Sequence, residues 1–586
     1  LPTRRPPLRP SLLALTALLC CAHGSDGPSG DKGDGDDGPR YATSFTMVTV
    51  DPATPASMKL LVQACAGLEN RALGGSVLVR FDDTDELWLD ELGLSPAATL
   101  SADDFVASCQ AEIPSCVRYD YDTQHELLPS ILTAASALGA LPMDVGLGLD
   151  CNVVVDATAE LQDKTTQELA TRWAFERYAA DTTGLAMLNP GYDANAADRS
   201  DPPLTSDMGP QTVDFVFSER LFVLFLVNGC QAGDPENLLL DEIVNAGNWP
   251  LPLGVYGYND SWLIGGYLHE AQTRCLDSRN MGAIPSKTVN LSFYSTRRAP
   301  IVEPGELTVT PPEEPHYDPE KTYVAFIVGD GDNVDYIMHA RGDWMRQRLV
   351  ACAADEGACA PLTWSISPHL PHLAPDLLEW YAAAGVQTGA DYFSLPPSGH
   401  LYAYPSSMSD ADQDLFVTAT EQDAAILGTH STVHWDWNET WAVAEQEFLP
   451  KYAEQGVIQG IIPVNVPYLI DAFPDWPEDR YYEVLGGTVV LFRPRQWRGI
   501  DDSDSFFLSP EHMAEELVGY PPGTVTAIYL TSDGGLSLDN SVYPLIDLLP
   551  DTVQLVSSDA AAKLALEASG LPSTGARSCG CAGWDG

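Results

Sequence analysis

Basic side chains are scarce in this chain: 30 Lys and Arg stand against 83 Asp and Glu, for a formal net charge of −53 at pH 7. Nucleic acids and anionic membrane surfaces are held by clustered Lys and Arg, so neither is an expected partner. Long apolar runs are scarce as well. After the first 25 residues the longest is Leu221–Val227, far short of the ~20 residues of a membrane span, so it is expected in a core and no transmembrane helix is expected. No strand candidate is followed by a glycine-rich nucleotide fingerprint, and no cysteine spacing completes a zinc site. A formal excess of acid leaves a solvated surface that tolerates salt and divalent cations.

What is present is ample core material, 45% hydrophobic and 9% aromatic over 586 residues. That length is too great for one core and predicts two domains of unequal character. The start has its own pattern. Arg4, Arg5 and Arg9 precede the apolar stretch Leu12–Leu19, then Cys20, Cys21 and small residues through Gly24, which predicts a secretory signal over residues 1–24. Leu18-Leu19-Cys20-Cys21 matches a lipoprotein processing site in part. Residues 25–43 follow as a flexible acidic tether. The expected location is therefore outside the cytoplasm: extracellular, periplasmic or lipid-anchored at the cell surface. Export permits disulfides, and the pairs closest in sequence are Cys109 with Cys116 and Cys352 with Cys359.

Residues 44–300 alternate helix and strand patterns, among them a helix at Met58–Leu68 and strands at Ser76–Phe81, Asp144–Leu149, Leu185–Leu188 and Pro252–Tyr256. Such alternation predicts an α/β domain with a mostly parallel sheet. Glu69, Asn70 and Arg71 read as a helix-end network, and the acids in Phe81–Glu86 as a helix start. Asn259, Asn290 and Asn438 each open a glycan-acceptor triplet. Residues 301–320 are rich in Pro and Glu and read as a connector.

From 321 to 570, strand candidates recur at Tyr323–Val328, Leu362–Ser367, Asp391–Leu395, Ala424–Gly428, Gly460–Val464, Thr488–Phe492, Val525–Leu530 and Val553–Leu555, with helical stretches between them. The series matches the size of a (βα)8 TIM-barrel-like domain. Residues 571–586 are a tail.

The chemistry concentrates after Val328, where the apolar run stops at Gly329-Asp330-Gly331-Asp332-Asn333. Two glycines permit a sharp turn just past a strand's carboxyl end, where α/β active sites are assembled. Asp330 and Asp332 can hold a cation, bind sugar hydroxyls, or drive each other's pKa apart. Equally, the loop can turn the chain and cap a helix beginning near Val334. His369 follows the second strand candidate, Ser398, Gly399, Tyr402 and Tyr404 the third, and His430, Trp435, Asp436 and Trp437 the fourth. Asn465, Arg493 and Asp533 sit at later strand ends. Carboxylates for proton transfer, polar groups for hydroxyls and aromatic faces for pyranose rings are what a sugar site requires. Asp330, Asp332, Asp436 and Asp533 are the candidate acids, bases or nucleophiles. Asn333, His369, Ser398, Gly399, Tyr402, Tyr404, His430, Trp435, Trp437, Asn465 and Arg493 are the candidate binding residues.

At Gly399-His400-Leu401-Tyr402-Ala403-Tyr404-Pro405 the chain resembles the GxGYxYP family of glycoside hydrolases, with Leu401 where the pattern has its second glycine. The GDGDN loop, TWSISP, PSG and GLENR also resemble that family. The resemblance implies an N-terminal α/β domain, a C-terminal barrel-like domain and a sugar-processing role. It implies a carbohydrate ligand. No cofactor is expected other than calcium on the Asp330–Asn333 loop. Two other readings remain: a noncatalytic glycan-binding module with calcium on the Asp330–Asn333 loop, and a metal-dependent hydrolase.

Overall fold

A helix buried on nearly every side, Ala56–Ala72, organises the N-terminal half. Leu60, Leu61, Val62, Ala64, Cys65, Ala66 and Leu68 leave it no polar face, so it must be enclosed. Gly67 lets the helix Val213–Glu219 approach, because an added Cβ there would lie 2.1 Å from the Asp214 carbonyl. The computed structural model describes residues 40–188, 212–246, 249–257, 275–286, 288–305, 307–309, 315–354, 359–437, 440–466, 476–477, 479–531 and 535–572, leaving aside the side chains of Trp437, Gln455, Asn465 and Val466. The described residues belong to one compact unit beginning at Arg40.

Three small parallel sheets lie in this half among the described residues, and the helix packs on β2 and β5 of two of them. Strands β1 (Thr46–Thr49), β2 (Val77–Arg80) and β3 (Ala98–Ser101) pair in the order β2-β1-β3. β4 (Ser115–Tyr119), β5 (Leu141–Asp144) and β6 (Asn152–Asp156) pair as β5-β4-β6. β7 (Gly184–Met187), β8 (Leu221–Leu224), β9 (Leu253–Tyr256) and β10 (Met281–Ile284) pair as β10-β9-β7-β8. The helix-end network is confirmed at Asn70, whose amide bonds both the N–H and the carbonyl of Val77 at 2.9 Å. Asn290 grips Val79 in the same way at 2.7 Å and is buried, so its acceptor triplet is a structural clamp and not an exposed glycan site. The acids after Phe81 cap a turn, with Asp82 and Asp85 forming a reciprocal capping box.

Two expectations fail here. The strand placed at Asp144–Leu149 ends at Asp144, whose side chain caps the turn Val145–Leu147. Cys109 and Cys116 do not pair with each other. Cys109, on the helix Ala102–Glu112, faces Cys65 on the buried helix, whereas Cys116, on β4, meets Cys151 just before β6. A helix-to-strand turn sends the two side chains into different layers, which sequence proximity does not reveal. Cys230 bonds Cys275, and Cys352 bonds Cys359.

In the C-terminal half the strands are β11 (Thr322–Val328), β12 (Leu362–Ser365), β13 (Asp391–Ser394), β14 (Ser431–Trp437), β15 (Gly460–Val466), β16 (Tyr482–Leu485), β17 (Val489–Phe492), β18 (Gln496–Trp497), β19 (Val525–Leu530) and β20 (Val553–Val556). One sheet runs β13-β12-β11-β19-β18, with β20 also on β11, and the other runs β14-β15-β17-β16. Every ladder is parallel except β16 with β17. A single bridge, Leu395 to Thr432, joins the two sheets. Among the described residues no ladder joins β17 to β18, so the hydrogen bonds trace mixed α/β sheets and not a continuous eight-stranded ring.

The fourth strand candidate, Ala424–Gly428, is instead the end of the helix Asp410–Leu427, closed by Gly428 at φ 66°. The real strand starts at Ser431. Beneath the strands' amino ends runs the helix Ser558–Ala568, whose Ser558 and Asp559 bond Thr363, Ser431 and His430.

Candidate functional site

Strand β11 is buried along its whole length because β19 covers one edge while β20 and then β12 cover the other. Its carboxyl end therefore opens within the sheet rather than at its margin. Gly329 and Gly331 stand there because nothing larger fits: an added Cβ would lie 2.4 Å from the Tyr529 ring and 1.7 Å from the Ser365 carbonyl, respectively. Asp330, between them, takes φ 63°, a left-handed conformation that costs a non-glycine residue about 1 kcal/mol or more.

Three bonds hold Asp330 in place. Its N–H donates to the Tyr529 hydroxyl at 2.9 Å. Its carboxylate pairs with Arg341 Nη2 at 2.9 Å, and Arg341 Nε donates to the Gly329 carbonyl at 2.9 Å. A wide π turn over Ile337–Arg341 aims the guanidinium back at the loop, where it lies 4.6 Å above the Trp344 ring. Arg341 is 3% exposed and Asp330 31% exposed, so a buried cation supports an acid that solvent reaches. Asp332 is half-buried beside it. Asn333 is otherwise engaged: its Oδ1 accepts the N–H groups of Asp335 and Tyr336, capping the helix that starts at Val334.

The turn after β13 forms a second cluster. Ser398 is buried, its hydroxyl 2.8 and 3.0 Å from the carbonyls of Ala403 and Trp435 while it accepts the Trp435 N–H at 2.7 Å. It therefore ties the turn to β14. Gly399, at φ 103°, presses on Thr420, where an added Cβ would lie 2.5 Å from Cγ2. Leu401 does not adopt positive φ. It packs on Gly254 of β9 and Gly282 of β10, where an added Cβ would come within 3.2 and 2.6 Å of it, so two glycines across the interface accommodate the leucine. Tyr402 extends that contact through a two-way backbone bridge with Ala283 at 3.0 Å, and its ring meets Trp435 edge-on at 4.9 Å.

On β14, His434 and Asp436 share a face by strand alternation. The Asp436 carboxylate accepts the hydroxyls of Ser406 and Thr440 and lies 3.4 Å from His434 Nε2. Sequence reasoning missed Asp277, which holds the same turn as Asp436: Asp277 binds Tyr404 and Asp436 binds Ser406. It comes from the N-terminal half, is buried, and accepts the Tyr404 N–H at 2.6 Å. Burial and then the charge of Asp436 push its carboxyl well above the usual range, against the lowering effect of the Tyr404 N–H. No motif marks Asp277, since its partner Tyr404 lies far away along the chain.

Other candidates stand elsewhere. His369 Nε2 lies 2.7 Å from the His400 carbonyl, and burial and then His400 push its pKa down to about 3, so it is a neutral loop support. His430 precedes β14 at the strands' amino end, with Nδ1 on the Val457 carbonyl and its N–H on Asp559. It is therefore on the wrong side for the site, because the strand was misplaced by one element. Arg493, at the end of β17, gives its N–H to the Tyr481 carbonyl and lies beside the Tyr481 ring. Asn465 pairs in register with Asp436, and Trp437 with Val466, through the backbone. Asp533 and the acceptor residues Asn259 and Asn438 lie outside the described residues. Among the described residues no group of three or more His, Cys, Asp or Glu is arranged to hold a metal, and no helix is long and apolar enough to cross a membrane.

The scaffold is a mixed α/β fold with mostly parallel sheets. Residues 320–471 match the family model described as GxGYxYP putative glycoside hydrolase C-terminal domain. A crystal structure of a putative hydrolase from Bacteroides thetaiotaomicron superposes with a TM-score of 0.66 at 17% identity, covering 90% of this chain and 96% of that one. A 4-alpha-glucanotransferase from Thermococcus litoralis aligns at a TM-score of 0.29 and 13% identity over 41% of this chain and 40% of that one. No curated protein matches the chain.

Proposed function

We propose that this chain is an exported glycoside hydrolase acting on a carbohydrate, with a barrel-like C-terminal half whose strand ends supply the catalytic carboxylates. The observation that carries the reading is Asp330: a solvent-reachable acid in a strained backbone, clamped by buried Arg341 at the carboxyl end of the central strand. Strain of this kind persists where the surroundings over-determine it, and it clusters at functional sites. Asp330 or Asp332 serves as acid or nucleophile, with its neighbour in the same loop as the second carboxylate, since Asp436 is buried. The family model's own description supports the substrate class.

The test is turnover of a panel of polysaccharides and aryl glycosides by the purified protein, alongside Asp330→Asn and Asp332→Asn. Hydrolysis by the native chain that is lost in at least one folded variant is expected. Native turnover that survives in both overturns the assignment of residues, and no turnover on any substrate overturns the activity.

A further inference from the structure

The wide turn over Ile337–Arg341, which aims Arg341 at Asp330, is gripped from outside its own helix. A π turn is rarer than an α turn and recurs at functional sites, where side chains entering the ladder hold it open. Two side chains do so here. The Tyr381 hydroxyl donates to the Ile337 carbonyl and the Trp88 indole N–H to the Met338 carbonyl, each at 2.7 Å. Tyr381 belongs to the C-terminal half, on the helix Pro375–Thr388. Trp88 comes from the N-terminal half, on the short helix Leu87–Glu91, and is 2% exposed. Its ring lies against Gly342, the residue after the turn, where an added Cβ would be 2.9 Å from Trp88 Cζ2. Arg346 stacks on the same ring at 4.6 Å while donating to Glu91 at 2.8 Å. The start of the segment is fastened to the N-terminal half as well, since the Val334 N–H donates to the Pro285 carbonyl at 2.9 Å.

We propose that Trp88 is a positioning residue of the Asp330 site: its indole N–H holds the π turn open and so keeps the Arg341 guanidinium on the Asp330 carboxylate. The inference rests on the reading of Asp330 as a catalytic carboxylate. Arg341 is the last residue of the turn. Ordinary α spacing in its place would rotate Arg341 by about 100°, the angle of one residue at 3.6 per turn, and carry it off both Asp330 and the Gly329 carbonyl. The N-terminal half therefore completes a site whose acids all lie in the C-terminal half.

The test uses the full chain and two readouts. In kinetics, Trp88→Phe is expected to lower kcat about tenfold, the factor set by losing one buried hydrogen bond of ordinary strength, with KM unchanged. In an Arg341→Ala background the same substitution is expected to lower kcat no further, because its effect runs through the guanidinium. No fall in the first background, or an equal fall in both, overturns the proposal. The second readout is the crystal structure of Trp88→Phe, which is expected to show the turn tightened to α spacing and the bond from Arg341 to Asp330 lost. A retained π turn with that bond still at 2.9 Å overturns the proposal. Where Trp88→Phe does not fold, benzothienylalanine in place of Trp88 keeps the bicyclic ring and removes only the N–H, and the same readouts apply. A chain that hydrolyses no glycoside refutes the proposed function, and the crystal structure alone then decides this inference.

Discussion

The carboxyl ends of β11 and β14 both present aspartates, and they hold them in opposite ways. At β11 a buried arginine offsets the charge of an acid that solvent reaches. At β14 Asp436 is sealed away and accepts the hydroxyls of Ser406 and Thr440. Chemistry that moves protons near neutral pH needs carboxyl groups whose environments separate their titrations.

The largest expected break in this comparison is at Asp330. Asp330→Asn keeps the shape and removes the charge, so kcat/KM should fall on the order of 10²–10⁴-fold, the range for loss of a positioned proton-transfer group. Steady-state kinetics on the best substrate of the panel checks this. Arg341→Ala comes next. It leaves Asp330 and the Gly329 carbonyl without their cation, and urea denaturation should show a loss of about 3 kcal/mol, the low end for a broken buried ion pair. Adding Asp330→Asn to that variant should restore part of it, because a neutral amide needs no counter-charge.

Two smaller effects sharpen the contrast through pH. Asp277 has a raised pKa in the fold, so its contribution to stability is complete below the unfolded value near 3.9 and is lost as pH rises toward the folded value. Asp277→Asn removes that slope, and denaturation at several pH values should find the variant gaining on the native protein from acid toward alkaline pH. His369 runs the other way. Its pKa is lowered to about 3, so its stability is present above the unfolded value near 6.5 and is lost as pH falls toward 3. His369→Phe should cost about 1 kcal/mol at neutral pH, a gap that closes on acidification.

Much of this was readable from the chain. The continuous apolar run Tyr323–Val328 marked a strand buried on both faces, and the glycines after it marked the turn that Ser365 and Tyr529 require. The Gly399–Pro405 motif marked the turn after β13. What misled was ambiguity between short patterns. Ala424–Leu427 is as apolar as a strand but ends a long helix, while Ser431–Trp437 carries His, Asp and Trp and is the strand. That slip put His430 at the site, although the fold carries it to the other end of the sheet. The glycine expected at position 401 is replaced by space made at Gly254 and Gly282, nearly 150 and 120 residues earlier.

Local pattern alone determined that the chain folds as alternating strands and helices with acids beyond the strand ends, since hydrophobic period, glycine and aspartate act over a few residues. Only the tertiary structure decided which acids keep company. Asp330 is matched to Arg341 by a π turn, Asp277 to Tyr404 by the packing of one half of the chain on the other, and Cys109 to Cys65 by the layering of helices. Charge, burial and proton sharing depend on distances in space, and separation along the chain does not encode them.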